Sequence, residues 1–88
     1  MKNGKGIEYD DDGNLIFEGE YLNDERNGKG KEYYYDNGGL IFEGQYLNGK
    51  RNGKGKEHGY DGILEFEGEY IWMEKEMGRE KNIIIMVK

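Results

Sequence analysis

Several groups of residues in this 88-residue chain have the types and spacing of chemical sites. Gly28-Lys29-Gly30-Lys31 and its copies resemble a phosphate-cradling loop. Such a loop needs Gly-Lys-Ser/Thr opening a helix, and the chain has no Ser or Thr. Asp10-Asp11-Asp12-Gly13-Asn14 offers carboxylates at calcium-loop spacing. A calcium loop also needs flanking helices and a bidentate Glu at its last position, where Tyr21 stands. Glu18 and Glu20 are i, i+2 carboxylates on one strand face, as in a glycosidase acid–base pair. Glu18 recurs in each copy of a repeat and Glu20 in two of the three, with Gln45 in the other, beside Lys29 and Lys31. Repetition in every copy argues for structure over catalysis. His58 stands where the other copies carry Tyr9 and Tyr33, so it reads as a substitution at a structural position and not as a general base. No catalytic, cofactor-binding or metal-binding residue is assigned, and no cofactor is expected.

The composition points the same way. Apolar residues make up 34 % and charged residues 36 %, which leaves little for a thick core. Yet 14 % is aromatic and Gly numbers 16, more rings than a disordered acidic chain carries. Cys is absent along with Ser and Thr, which removes the usual side-chain nucleophiles. One His cannot build a His-based zinc site alone. The formal charge of −6 disfavours nucleic acid, and opposes an anionic membrane surface. The opening Met1-Lys2-Asn3-Gly4-Lys5-Gly6 lacks the apolar stretch of a signal peptide. A cytoplasmic, non-enzymatic protein is expected.

The elements that position these residues are repeats. Phe17-Glu18-Gly19-Glu20-Tyr21 recurs as Phe42-Glu43-Gly44-Gln45-Tyr46 and Phe66-Glu67-Gly68-Glu69-Tyr70. Asn3-Gly4-Lys5-Gly6 recurs in phase as Asn27-Gly28-Lys29-Gly30 and Asn52-Gly53-Lys54-Gly55. Phe17, Gly19 and Tyr21 alternate with Ile16, Glu18 and Glu20, the period of a strand. Leu22 to Asn27 reads as a six-residue polar turn, Gly28 to Tyr35 as the return strand, and Asp36-Asn37-Gly38-Gly39 and Asp61-Gly62 as hairpin turns. The expected fold is all-β: an elongated single-layer antiparallel meander of stacked β-hairpins with about six strands. The units span about 3–26, 27–51 and 52–70.

One sheet face is the expected core: rings of Phe17, Tyr21, Phe42, Tyr46, Phe66 and Tyr70 lying over Gly19, Gly28, Gly30, Gly44, Gly53, Gly55 and Gly68. A trial register pairs Tyr21 with Gly28, Gly19 with Gly30, Glu20 with Lys29 and Glu18 with Lys31. In the next unit it pairs Tyr46 with Gly53 and Glu43 with Lys56. Arg26, Lys29, Lys50, Arg51 and Lys54 recur beside the same turn, which predicts a positive stripe along one edge, available to an anionic partner or simply solvated.

The two words in phase resemble MORN repeats. The family's unit reads Tyr-x-Gly-x-Trp/Tyr, a polar turn, Gly-x-Gly, then an aromatic stretch closing on Asp-Gly. Phe42-Glu43-Gly44-Gln45-Tyr46 through Gly53-Lys54-Gly55 matches it, and the resemblance covers residues 3–70. His58-Gly59-Tyr60 departs from it, where the preceding unit has three Tyr, and predicts a strand that ends early. The resemblance implies a single-layer sheet of stacked hairpins with a shallow groove, serving as a scaffold or protein-interaction module near membranes or cytoskeleton. It also brings the alternative of a peripheral module binding phospholipid, phosphoinositide headgroups included. A further alternative is a bacterial antitoxin-like hairpin-repeat protein. The protein partner is not specified.

Residues 71–88 break the pattern, and one account of them is a separate, native C-terminal strand or helix. Read one frame over in the genetic code, the Trp72–Met73 junction must give Asp, and the Met73–Glu74, Met77–Gly78 and Met86–Val87 junctions must give Gly. The remaining wobble positions allow another copy of the repeat, Tyr-Leu-Asp-Gly-Lys-Arg-Asn-Gly-Lys-Gly onward. The tail is therefore expected to be frameshifted repeat sequence, the chain a truncated fragment of a longer array, and the strand ending at Tyr70 an unpaired edge prone to self-association.

Overall fold

The computed structural model describes residues 2–74 and 80–86, with side chains through residue 70. Seven strands form one sheet in chain order, every neighbour antiparallel. They are β1 (Gly4–Tyr9), β2 (Leu15–Leu22), β3 (Glu25–Tyr33), β4 (Leu40–Leu47), β5 (Lys50–His58), β6 (Leu64–Glu74) and β7 (Glu80–Met86). There is no helix among the described residues. The expected meander is present, and β7 joins the six strands that the repeats supply. β7 pairs with β6, setting Tyr70 opposite Ile84 and Gly68 opposite Met86. The edge expected to be open at Tyr70 is thus covered, and the free edges of the sheet belong to β1 and β7.

Two kinds of connection alternate. The β2–β3 and β4–β5 turns have only two residues each, Asn23-Asp24 (φ 52° and 68°) and Asn48-Gly49 (φ 51° and 84°). Positive φ at both positions is the type I′ turn, whose twist suits a hairpin. The six-residue turn expected from the sequence is therefore too long. Glu25, Arg26 and Asn27 already belong to β3. The other connections are longer: residues 10–14, 34–39 and 59–63. In the first, the Asp10 carboxylate accepts the N–H groups of Asp12 (3.0 Å) and Asn14 (2.8 Å). Asn37 and Asp61 do the same for Gly39 and Ile63. The aspartate run is an Asx-turn whose first carboxylate is committed to its own backbone.

The register confirms part of the trial pairing and corrects the rest. Gly19 opposes Gly30, Glu18 opposes Lys31 and Glu43 opposes Lys56, as expected. Tyr21 does not face Gly28; it faces Arg26, and Tyr46 faces Arg51. A bulge beyond Gly19 and Gly44 makes the difference. Gly28 and Gly53 take φ of 96° and 88° there, a conformation that excludes most L-residues. Their role is the bulge, not space for a ring. Tyrosine does meet glycine, but between units, with Tyr21 opposite Gly4 and Tyr46 opposite Gly28. Glu20 pairs with Lys5, and its carboxylate accepts the Lys29 backbone N–H at 2.9 Å. β5 is as long as β3, so His58 does not shorten its strand.

The second glycine of each word has the expected packing reason. Gly6, Gly19, Gly30, Gly44, Gly55 and Gly68 oppose one another in a row across six strands. A Cβ on Gly30 would stand 2.6 Å from Phe17 Cζ and 2.9 Å from Tyr46 Cε1; on Gly55, 2.6 Å from Phe42 Cζ. Above the row the rings form one chain of edge-to-face contacts, Tyr21–Phe17–Tyr46–Phe42–Tyr70–Phe66, with centroids 5.3–5.8 Å apart. Each such contact adds roughly 0.5–1.5 kcal/mol beyond area burial. Phe17 and Phe42 are fully buried although the sheet is a single layer.

Candidate functional site

Two surfaces hold the chemistry-bearing side chains, one on each face of the sheet. On the ring face, strand parity brings a carboxylate, a guanidinium and a phenol together once per unit. Glu8 on β1 accepts bonds from Arg26 on β3, at 2.9 Å from Nε and 3.0 Å from Nη2, and from the Tyr21 hydroxyl on β2. Glu32 does the same with Arg51 (2.9 and 3.0 Å) and the Tyr46 hydroxyl. Glu57 accepts the Tyr70 hydroxyl, with Arg51 Nη1 at 3.8 Å.

Each guanidinium also covers a ring. Arg26 lies 4.0 Å from the Phe17 centroid and Arg51 4.2 Å from that of Phe42. The forked pairing and the planar stacking both suit Arg and not Lys. These arginines are what shields the phenylalanines from solvent on a single-layer sheet. The predicted basic edge is corrected accordingly. Arg26 and Arg51 are half-buried in ion pairs, because the two-residue turn and the bulge carry them onto the ring face. Lys50 sits at the hairpin end opposite Leu47. Of these five residues only Lys29 and Lys54 are exposed, on the opposite face.

The electrostatics follow from this geometry. Hydrogen bonding from Arg26 holds the Glu8 carboxyl below its ordinary value, against its partial burial. For Glu32 burial pushes upward, and the bonds from Arg51 and Tyr46 outweigh it, leaving the value lowered. Burial and the Glu8 bond raise Tyr21 to about 12. Tyr46 and Tyr70 rise further, again through burial first and then the bonds to Glu32 and Glu57. Each phenol is a donor locked to a carboxylate. The arrangement is a structural clamp.

The glutamates of these clamps were missed in the sequence, although a signal existed. Glu8, Glu32 and Glu57 each stand two residues after the second Gly of the Asn-Gly-Lys-Gly word. Each arginine stands two residues before the word's first Gly, and Lys2 holds that place in the first copy. Lys2 Nζ lies 4.5 Å from the Tyr21 centroid, much as Arg26 reaches the next unit's Tyr46 at 5.8 Å.

The opposite face carries an open groove floored by the glycine row. Its charged lining is Lys5, Lys29, Lys31, Lys54 and Lys56 with Glu18, Glu20 and Glu43. Along the central row the signs alternate strand by strand: Glu18, Lys31, Glu43, Lys56, Glu67. Opposite charges directly across a ladder contribute roughly 0.2–1 kcal/mol each. The Glu18 carboxylate also accepts the Tyr33 hydroxyl. The carboxylates Glu18 and Glu20 therefore have structural partners, Lys31 and Tyr33 for one and Lys5 and the Lys29 N–H for the other. His58 occupies the Tyr9 and Tyr33 position, opposite Leu64 as those tyrosines oppose Leu15 and Leu40. Its Nδ1 is buried without a hydrogen-bond partner among the described residues.

Units joined by the same clamp, the same glycine row and the same turn define a family. The family model described as MORN repeat matches residues 1–15, 17–39 and 42–63. The second and third matches each begin on the phenylalanine that the clamp arginine covers. No curated protein and no solved structure gives a significant match to the chain. With most of its length matched as three successive repeats, the chain belongs to the MORN repeat family.

Proposed function

We propose that this chain is a non-enzymatic protein-interaction module of the scaffold type, engaging its partner through the Lys/Glu groove. One observation carries the reading: the ring-face carboxylates, guanidinia and phenols are bonded to one another, while the opposite face presents a wide, charged, solvent-open groove. Alternating signs suit an extended polypeptide with charges of its own. Complementary charge speeds encounter and fixes register more than it adds affinity. The test is loss of capture. A protein crosslinked to the groove in cell extract should be lost from the variant Lys29→Gln/Lys54→Gln, with the melting curve unchanged. Undiminished capture by that folded variant would remove the groove from the proposal.

A second reading rests on the lining itself, five lysines against three glutamates on a chain of net charge −6. That local excess favours an anionic headgroup. Salt-sensitive sedimentation with phosphoinositide vesicles, lost in the same double variant, would support it. Absence of sedimentation at low salt would reject it.

A further inference from the structure

The outer edge of β1 is built like an interior edge. In β3 and β5 the positive-φ glycine makes the bulge that lets the strand pair with the hairpin strand before it. Gly4 on β1 already has φ of 84°, yet no strand of the sheet lies beyond β1 to require a bulge. Lys2 holds the arginine place, and Gly4, Gly6 and Glu8 repeat the spacing of Gly28, Gly30 and Glu32. What β1 lacks is a strand reading Phe-x-Gly-x-Tyr on that edge.

The other end of the sheet is the complement. β6 carries Phe66, Gly68 and Tyr70, and the strand across from it does not follow the repeat. β7 has no glycine, sets Met86 opposite Gly68, and pairs without a bulge. Among the described residues no guanidinium covers Phe66 as Arg26 covers Phe17 and Arg51 covers Phe42.

We propose that β1 of one copy docks on β6 of a second copy, displacing β7 and pairing in the register that β5 uses on β4. That register sets Glu8 opposite Phe66, Ile7 opposite Glu67, Gly6 opposite Gly68 and Lys2 opposite Tyr70, by analogy with Glu57–Phe42, Lys56–Glu43, Gly55–Gly44 and Arg51–Tyr46. The glycine row and the chain of rings then run unbroken from copy to copy, with Phe66 of the second copy against Tyr21 of the first as Phe42 stands against Tyr70. Lys2 takes the place over Phe66. The contact is head to tail and does not close on itself, so growth continues beyond a dimer. β7 is tethered to the strand it covers, and its high effective concentration makes it the competitor that limits growth. This inference concerns the sheet edge and stands independently of the groove reading.

Cysteine crosslinking on the full chain tests it. The protein has no cysteine of its own. In the double variant Ile7→Cys/Glu67→Cys the two positions lie on β1 and β6 of the same sheet, about 24 Å apart at the usual strand spacing. A disulfide spans only about 4–7 Å between Cα atoms, so any 7–67 bond joins two copies. We expect a ladder of dimer, trimer and larger species on oxidation. Ile85→Pro, which removes a β7 backbone donor opposite Glu69, should extend the ladder. Gly4→Val, at a site with open space around its Cβ but with φ of 84°, should abolish it by straining the bulge, while Gly38→Val, an equally open site with φ of 72° away from this edge, should carry the same strain and leave the ladder intact. An interior control, Ile7→Cys/Gln45→Cys, should stop at dimer. A ladder equal in the control, or no species beyond dimer in the Ile7→Cys/Glu67→Cys chain with or without Ile85→Pro, would overturn the proposal.

Discussion

Gly30→Ala puts one methyl group where the structure has no room for it. The added Cβ would lie 2.6–2.9 Å from three ring carbons of Phe17 and Tyr46, against the ~3.5–4.0 Å at which carbon atoms are comfortable. Relief requires a ring to retreat by about 1 Å. Phe17 cannot do so freely, being fully buried under the Arg26 guanidinium at 4.0 Å and wedged between Tyr21 and Tyr46. Overpacking of this kind costs about 1–3 kcal/mol. For a chain this small each kcal/mol lowers Tm by about 4–8 °C. Calorimetry on the purified variant measures the loss. A second substitution separates steric crowding from backbone effects. Phe17→Leu removes the crowding carbons, so it should be milder in the Gly30→Ala chain than alone, with a coupling of about 1 kcal/mol. Gly38→Ala serves as contrast: its site is empty but φ is 72°. It should cost about 1–2 kcal/mol through conformation alone, with no coupling to Phe17. An unchanged Tm for Gly30→Ala, or strict additivity with Phe17→Leu, would refute the ring-over-glycine account.

Other outcomes follow from the clamps, the turn and the tail. Arg26→Lys should recover little of the loss caused by Arg26→Ala, about 1.5–3 kcal/mol by urea denaturation, because an ammonium cannot bond Glu8 twice and lie over Phe17. Stability should be level across neutral pH and fall at both ends. Glu8 and Glu32 are lowered on folding, so their contribution is present above the unfolded value of 4.5 and is lost as pH drops through the folded one. Tyr21 is raised, so its contribution is present below 10 and is lost as pH climbs through about 12; melts across both limits check this. Exchanging the charges of Glu43 and Lys56 should not restore stability in a double-mutant cycle. Glu43 also faces Lys31, and Lys56 also faces Glu67 at 4.0 Å, so the exchange creates two like-charge pairs. Replacing residues 71–88 by the repeat copy read in the shifted frame should raise Tm and reduce light scattering. No rise in Tm would show the present tail to be a working end strand.

Much of this architecture was legible because the repeat states each relationship three times. The two-strand unit, the ring-bearing face and the Gly19–Gly30, Glu18–Lys31 and Glu43–Lys56 pairs follow from period-two alternation and charge matching. The clamps were not. Their visibility depended on the parity of Arg26, and parity depended on a bulge. A positive φ at Gly28 inserts residues into one strand only, which no alternation pattern records. Treating Leu22 to Asn27 as one turn then left Arg26 in solvent, although the Asn23-Asp24 pair suffices to reverse the chain. β7 was hidden for a different reason: its residues carry no repeat word.

The two kinds of connection differ in how they tolerate length. The type I′ turns have two residues wherever they are described, while the connections at the far end run 10–14, 34–39 and 59–63, one residue longer in the middle case. That single residue accounts for the alternation of 24- and 25-residue steps. An insertion at Asn48-Gly49 would slip the ladder and exchange the two faces, putting lysines under the rings. The same insertion at Asp36–Gly38 leaves every strand in phase. New loops, and the new specificities they carry, can thus be grafted along one rim of the sheet while the other rim fixes the pitch at which they are displayed.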